Sequence, residues 1–491
     1  MAEVSDIKNK AISGFFWQLG QKLFGQFIHF GVSVILARLL MPEEFGIIAL
    51  SSMFMLLVNV VLSGGLHLAL VQKKNADETD FSTIYVAGMG FALIFYAIIF
   101  FSAPYVAIAF GNKLACPVLR VLGLNTIIGS LSGVQGAYIS RNLQFKKFFY
   151  VSFVGQILSA VVGVGMAYSH FGVWALVGQS MTSTICSTIT LSIVVPWHPK
   201  FKFSFSRFKQ MYAFAWRQIV ATIVATISNQ MRGYAIGLKH SAADLAYYNR
   251  GDGIPMMLYS QIFLTVKSVF MPAMARIQDD KVAVKNGLSR TMKLSSYTLT
   301  PALLGLAAMS SNLVLVLYTE KWMAAVPYMQ LVCLMYCFLL LGNMNVEALT
   351  AMGRTDIVMK LETGKSITML SILAVTVFIG PLAICAGQTL YAAGACLFNM
   401  FPNKRILKYP IRQQFTDVGN NIIMSIIMAS VVYVVGLLSL NIYLLVFLQV
   451  AIGITLYWLM SVISHNENYY YLKDMFIKNL RRNRQTLWGR S

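Results

Sequence analysis

Long apolar stretches recur along the chain, most of them about 20 residues or more, with short polar loops between them. A transmembrane helix needs about 20 apolar residues to cross about 30 Å of hydrocarbon, so each stretch predicts one membrane span. Because the stretches are continuous and not alternating, an outer-membrane β-barrel is excluded. The fourteen predicted spans are residues 13–40, 46–71, 83–110, 116–140, 148–169, 171–196, 211–236, 252–275, 291–318, 322–349, 358–379, 381–401, 415–439 and 441–464.

The composition supports a membrane protein. Of the 491 residues, 57% are hydrophobic and 12% are charged, whereas a soluble protein is about 25% charged. A water-soluble fold of this size would leave large apolar patches exposed, which excludes soluble enzymes, coiled coils and disordered proteins. Six cysteines lie in or beside the apolar stretches and are expected to act as small hydrophobic residues.

The charge of the loops predicts the topology. The net charge is +21, which in a soluble protein would suggest nucleic acid. In a membrane protein, cytoplasmic loops collect Lys and Arg. The basic residues fall in alternate loops when the N-terminus is cytoplasmic, and an even number of spans then places both termini inside. The aromatic and basic tail, residues 469–490, is expected either to lie on the anionic inner leaflet or to be a disordered positive end.

An internal repeat divides the chain. Phe16-Trp17-Gln18 resembles Ala215-Trp216-Arg217, and residues 35–46 can be laid on residues 236–247, which places Glu43 over Asp244. The separation of about 200 residues equals six spans. Two six-helix bundles in one orientation imply a two-fold axis along the membrane normal. The predicted domains are residues 1–210, 211–412 and an appended pair of helices with the tail, 413–491.

The first span carries a polar stripe. Gln18, Lys22, Gln26, His29 and Ser33 fall within about 80° of one another on a helix. Lys22 lies about nine residues, or about 14 Å, from the inner end of the span. A charge at the bilayer centre costs at least about 2.5–3.5 kcal/mol, so this stripe must face protein or water and not lipid.

Further charges lie inside the predicted spans. Lys267 is again about nine residues from an inner end, and Glu362 is expected to neutralise Lys365 three residues later. Glu347 is isolated among apolar neighbours in the sequence, and its alternative role is that of a partner to a nearby Lys or Arg. The cations nearer the interfaces have an alternative explanation, since they can snorkel to water. An excess of buried cations requires an anion to balance it, and a substrate that bears phosphate fits better than chloride. A cavity for a cationic drug would show the opposite balance of charge. The intramembrane cations are Lys22, Arg120, Arg217, Arg232, Lys267 and Lys365.

Four segments resemble a known family. They are GFFWQLGQ (14–21), LARLLMPEEFGIIAL (36–50), FGVWALVGQ (171–179) and LAYYNRGDGIP (245–255). Together they resemble the polysaccharide flippases of the colanic-acid type, within the multidrug/oligosaccharidyl-lipid/polysaccharide exporter superfamily. The resemblance covers nearly the whole chain in its pattern of spans, and the motifs mark helix ends and turns.

The resemblance implies an all-α integral membrane protein, with two six-helix bundles around a central cavity, that works by alternating access. It implies that undecaprenyl-diphosphate-linked oligosaccharide repeat units are moved from the inner to the outer leaflet of the bacterial inner membrane. These units serve the assembly of lipopolysaccharide O-antigen, capsule or exopolysaccharide. The protein would act as a monomer, without cofactor, metal or nucleic acid.

The resemblance also implies where the substrate binds. Relatives receive the diphosphate on basic residues of the cavity, and Lys22 matches such a position, whereas Arg217 and Lys267 match only by helix. Related lipid II flippases have a cation site in the second bundle, for which Glu347 is the candidate, coupling transport to Na⁺ or H⁺. The predicted substrate-binding residues are Lys22, Arg217, Lys267, Gln18, Gln26, His29, Arg120 and Arg232.

Two alternatives remain at this point. A drug or metabolite antiporter of the same fold would need a deep acid in the first bundle, and the sequence has none there. A glycan polymerase or lipid-linked glycosyltransferase embedded in the membrane would need a sizeable outer loop carrying catalytic groups, and the outer loops are short. The sequence also has no Walker motif, so it predicts a transporter, not an enzyme, energised by an ion gradient or by consumption of the substrate.

Overall fold

The computed structural model describes residues 2–62, 67–73 and 76–475. Regular structure in these ranges is helical throughout, with one short 3₁₀ helix at Glu320–Ala325. The α-helices are α1 (Ala2–Leu39), α2 (Pro42–Val61), α3 (His67–Gln72), α4 (Glu78–Ala109), α5 (Ala115–Arg141), α6 (Phe145–Tyr168), α7 (Val173–Val194), α8 (Phe205–Lys239), α9 (Ala242–Arg276), α10 (Lys281–Ala308), α11 (Ser310–Tyr318), α12 (Val326–Ala351), α13 (Thr355–Thr376), α14 (Pro381–Ile406), α15 (Ile411–Val435) and α16 (Ile442–Ile463). The predicted all-α class is confirmed.

Each predicted span contains a helix of the described chain. Among the described residues, ten helices are long and apolar enough to cross a membrane, and α10 with α11, bent by 72° at their junction, gives an eleventh. The helices α7, α8 and α13 are richer in polar residues and do not meet this measure. The count of fourteen spans therefore stays a prediction. Residues 63–66 of the second predicted span, and the tail from residue 476, lie outside the described residues.

The contacts group the chain into two compact units, residues 1–246 and 247–491. Helix α8 belongs to the first unit, where it packs against α2, α3 and α4. Small residues on α8 allow this approach: a Cβ on Gly233 would meet Met53 at 2.3 Å, and one on Gly237 would meet Leu50 at 2.1 Å. The domain boundaries at 210 and 412 rest on the repeat and stay a prediction.

Small residues also set the packing of α6 on α7 in the first unit. A Cβ on Gly163 would lie 2.8 Å from Gln179, and one on Gly155 would lie 2.6 Å from the Ser187 hydroxyl. Within membranes, helices associate through close packing of this kind, because lipid gives no hydrophobic drive between them. Helix α1 packs along the other side of α6, and this contact positions the polar stripe.

The second unit is built around α12, which packs against α10 and α14. Its core is apolar and rich in methionine, with Met292, Met344 and Met400 fully buried. The flexible thioether side chains fill the irregular space between these helices. The six cysteines are free; Cys333 and Cys396 are buried, in keeping with their expected role as small hydrophobic residues.

The turn between α1 and α2 is repeated between α8 and α9. In the first turn, the Met41 amide donates to the Glu44 carboxylate at 2.7 Å. In the other turn, the Ser241 amide donates to Asp244 at 3.3 Å. Glu44, and not Glu43, is thus the counterpart of Asp244, so the repeat has an offset of 200 residues. The sequence register was wrong by one residue because the acid at the third helical position makes the capping contact.

Candidate functional site

The polar stripe of α1 opens onto a cavity between α1 and α6. Lys22 and Gln18 are exposed, and the Gln21 side-chain amide donates to the Ser152 hydroxyl of α6 at 2.6 Å. The cavity has a volume of about 570 Å³, and we call it the Lys22 cavity. It is lined by Gln18, Gln21, Lys22, Gly25, Phe148 and Gln156. Two of these residues, Lys22 and Gln18, belong to the predicted site.

The lining of the Lys22 cavity offers one positive charge and several amide groups. No carboxylate of the described residues pairs with Lys22. Gly25 admits the side chain of Gln156, since a Cβ at position 25 would lie 2.8 Å from its amide nitrogen. The Gln156 Oε1 atom is buried and has no hydrogen-bond partner among the described residues. An uncompensated ammonium beside hydrogen-bonding amides can take up an anion.

Gln26 and His29 continue the stripe beyond the Lys22 cavity. Gln26 is half-buried and His29 is exposed, and both have contacts of their own. Neither residue lines the Lys22 cavity, so their predicted part in binding stays a prediction.

Arg217 and Arg232 lie on α8, in the same unit. The guanidinium of Arg217 is exposed and lies 5.7 Å from the ring centre of Trp216. Within the described chain it has no carboxylate partner. Arg232 is half-buried and has contacts of its own. Of these two cations, Arg217 is therefore the better candidate to bind an anion.

Two of the cations in the predicted spans have partners within the protein. Arg120 of α5 donates to the Phe100 carbonyl of α4 at 3.2 Å, and its guanidinium lies 4.1 Å from the Phe100 ring centre. This contact ties α5 to α4, and a role of Arg120 in substrate binding stays a prediction. Lys365, 8% exposed, pairs with Glu362 at 2.6 Å, so the expected neutralisation is confirmed.

Lys267 of α9 forms an ion pair with Glu347 of α12. The Lys267 Nζ lies 2.5 Å from Glu347 Oε1, and the side chains are 45% and 10% exposed. The expectations of an isolated Glu347 and of an uncompensated charge on Lys267 are therefore wrong. The two residues are 80 positions apart, and their meeting depends on how α9 packs on α12, which periodicity does not reveal.

A polar row extends from this pair along the same two helices. The Asn343 amide donates to the Tyr259 hydroxyl at 2.8 Å, and the Tyr259 ring stacks on Tyr336 with centres 4.8 Å apart. The Tyr336 hydroxyl donates to Asp252 at 2.9 Å. The other oxygen of Glu347, Oε2, is buried without a hydrogen-bond partner in the described part of the chain. The lone pairs of that oxygen can therefore accept a proton or bind a small cation.

Sequence reasoning missed a charge cluster at the start of α4. Asp80 is fully buried and pairs with Lys73 at 2.7 Å and with Arg207 of α8 at 3.2 Å. Arg207 also bonds Asp77, and that bond lowers the pKa of Asp77 to about 2. The spacing of Asp77 and Asp80, typical of a helix cap, was an available signal. The partner in α8 could not be read from the sequence.

The apolar helices define the class of protein: a multi-pass membrane protein. The structure of the lipid II flippase MurJ in an inward closed conformation is similar, with a TM-score of 0.73 and 15% identity. That similarity covers 92% of this chain and 99% of MurJ. At this identity the likeness shows the fold.

The chain belongs to the polysaccharide biosynthesis protein family, whose sequence profile matches residues 35–327. The resemblance seen in the sequence is thereby confirmed at the level of the family. The succinoglycan biosynthesis transport protein ExoT of Rhizobium meliloti is 25% identical over 61% of this chain and 61% of its own length. The lipopolysaccharide biosynthesis protein WzxC of Escherichia coli is 21% identical over 80% of this chain and 78% of its own. The match thus spans less than two thirds of ExoT.

Proposed function

We propose that this protein moves oligosaccharides linked to undecaprenyl diphosphate from the inner to the outer leaflet of the bacterial inner membrane, for surface polysaccharide assembly. Its family, the names of its relatives for succinoglycan transport and lipopolysaccharide biosynthesis, and its likeness to a lipid II flippase support this proposal. One observation carries it: Lys22, without a carboxylate partner among the described residues, lines a cavity of about 570 Å³.

The chemistry of the substrate fits the Lys22 cavity. A diphosphate does not cross hydrocarbon unaided, because removing each charge from water costs many kcal/mol. The Lys22 ammonium replaces part of the lost hydration, and the amides of Gln18 and Gln21 add hydrogen bonds to phosphate oxygens. We assign Arg217, exposed on α8, as a further cation for the substrate, with Gln26 and His29 of α1 and Arg232 of α8 as further polar contacts.

We assign Lys267 and Glu347 a different part, that of a coupling pair. A proton or Na⁺ bound at Glu347 Oε2 competes with the Lys267 ammonium for the same carboxylate. Occupancy of Glu347 therefore weakens the pair, and its release restores the pair. Since a charge inside the membrane is costly when unpaired, the two states differ in energy enough to favour different conformations. Lys267 is thus reassigned from substrate binding to energy coupling.

Complementation of a strain that lacks the chromosomal copy tests the proposed function. Lys22→Ala should abolish export of the surface polysaccharide while the protein remains in the membrane at normal amounts, and Lys22→Arg should retain part of it. Lys360→Ala serves as the matched control, because Lys360 is an exposed lysine at the start of α13. Normal export by Lys22→Ala, or loss of export that merely follows loss of the protein, would contradict the proposal.

A further inference from the structure

Another cavity lies beside the Lys22 cavity, along the same contact of α1 with α6. Its volume is about 320 Å³, and we call it the Trp17 cavity. Trp17 precedes Lys22 by five residues, or about 7.5 Å along the helix axis. The two cavities thus follow one another along α1, as the binding spaces for a diphosphate and its attached sugar would. The Trp17 cavity is lined by Ser13, Gly14, Trp17, Leu143, Gln144, Phe145 and Lys146.

Two aromatic side chains, Trp17 and Phe145, line the Trp17 cavity, and further rings of α6 pack against Trp17. The Trp17 ring centre lies 5.4 Å from Phe149 and 6.4 Å from Tyr150. Tyr150 is exposed. Flat aromatic faces stack on the C–H faces of sugar rings. Because aromatic side chains are rigid, they lose little conformational entropy when they bind. Gly14 keeps α1 close to α6 here, since a Cβ on it would lie 2.5 Å from the Phe145 ring.

Each cavity also contains an amide oxygen with an unused acceptor. The Oε1 atoms of Gln144 and Gln156 are buried and lack a hydrogen-bond partner within the described ranges. An acceptor is satisfied by a donor, and sugar hydroxyl groups are donors, whereas an ionised diphosphate offers acceptors only. A buried polar atom left without a partner is costly. These two glutamines therefore point to a ligand that carries hydroxyl groups as well as phosphate.

Lys146 adds a charge at the edge of the Trp17 cavity. Its ammonium lies 5.4 Å from the Trp17 ring centre and 5.9 Å from that of Tyr150. No carboxylate of the described residues pairs with it. Lys147, the next residue, does not line the cavity. A lysine beside the Trp17 ring favours a sugar that bears a carboxylate.

We propose that the Trp17 cavity is a glycan subsite, which binds the sugars nearest the diphosphate and prefers an acidic sugar among them. This proposal rests on the proposed function, because it takes the diphosphate to bind at Lys22. In the Trp17 cavity, Trp17 stacks on the sugar ring, Gln144 accepts from a sugar hydroxyl group, and Lys146 pairs with the sugar carboxylate.

Binding to the purified protein in nanodiscs tests this subsite. The probes are undecaprenyl diphosphate alone, the same lipid bearing a neutral hexose disaccharide, and the same lipid bearing a disaccharide that contains a uronic acid. Trp17→Ala should weaken binding of both sugar-bearing lipids about tenfold and leave the bare lipid unchanged. Lys146→Ala should remove the preference for the uronic acid. The matched controls, Phe447→Ala on an exposed ring of α16 and Lys147→Ala, should change nothing.

The outcomes separate this proposal from the proposed function. Equal loss for all three lipids in Trp17→Ala, or wild-type binding that is no tighter with sugar than without, would overturn the glycan subsite. Bare-lipid binding that resists Lys22→Ala would instead overturn the diphosphate site. If Trp17→Ala does not fold, Trp17→Phe and Gln144→Leu carry the test, with Trp17→Phe expected to keep most of the sugar-dependent affinity and Gln144→Leu to lose part of it.

Discussion

Lys22 of the first unit and Lys267 of the other unit occupy equivalent places in the sequence, because each lies about nine residues from the inner end of its predicted span. Their surroundings differ. Lys22 lines a cavity of about 570 Å³ without a carboxylate partner in the described chain. Lys267 lies 2.5 Å from Glu347. Equal predicted depth therefore does not give the two lysines the same proposed role, because the groups around each charge differ.

The difference has an electrostatic consequence. A free ammonium attracts a diphosphate, whereas a neutral ion pair does not attract it as a whole. The pair is also asymmetric, since the Glu347 side chain is far more buried than that of Lys267. Losing the lysine would leave a buried carboxylate alone, while losing the carboxylate would leave an ammonium that still reaches water.

The largest effect is expected when the carboxylate of the pair can no longer titrate. Glu347→Gln should abolish the dependence of flipping on the coupling gradient, because the amide does not exchange a proton or hold Na⁺ as a carboxylate does. Flipping would be measured in proteoliposomes with and without an imposed proton or Na⁺ gradient. Glu362→Gln, which removes the acid of the Lys365 ion pair on α13, is the matched control. Unchanged gradient dependence in Glu347→Gln would remove this pair from the mechanism.

A smaller effect is expected on stability when only the lysine is removed. Breaking a buried pair costs about 3–5 kcal/mol; we expect about 1–3 kcal/mol for Lys267→Ala, because its side chain is nearly half exposed and partly screened. Adding Glu347→Gln should restore most of the loss, since no buried charge is then left unpaired. Thermal unfolding of the purified variants in detergent measures both changes. A double variant no more stable than Lys267→Ala would argue against the pairing.

The smallest effect is expected from one methyl group in the Lys22 cavity. A Cβ on Gly25 would press on the Gln156 amide at 2.8 Å, whereas one on Gly20 would meet nothing within 4 Å. Gly25→Ala should therefore weaken binding of undecaprenyl diphosphate about threefold, by less than about 1 kcal/mol, because the flexible glutamine can shift. Gly20→Ala should bind normally. Equal affinities of the two variants would show that this part of the cavity does not contact the lipid.

The sequence predicts those features that depend on a single helix. The stripe containing Lys22 follows from the period of 3.6 residues, and the pairing of Lys365 with Glu362 follows from a spacing of three. The all-α membrane fold follows from the apolar stretches. In each case the residues that matter are neighbours along one element, so a one-dimensional pattern contains the answer.

The sequence pattern does not predict contacts between helices. Asp80 and Arg207, 127 residues apart, and Lys267 and Glu347, 80 apart, meet only through packing. The Trp17 cavity was missed for the same reason, since its lining joins the start of α1 to the start of α6. The alignment of the repeat placed Glu43 over Asp244, one residue from the true counterpart Glu44, because the match depends on the geometry of a helix cap.

The affinity for bare undecaprenyl diphosphate tests most directly whether an unpaired cation, and not depth alone, makes the anion site. It would be measured in nanodiscs for Lys22→Gln and for the double variant Lys267→Gln/Glu347→Gln, which replaces one neutral pair by another. A charge-assisted hydrogen bond contributes about 1.5 kcal/mol or more, so Lys22→Gln should weaken binding about tenfold. The double variant should stay within about twofold of the wild type. Unchanged binding in Lys22→Gln, or a larger loss in the double variant, would contradict the account.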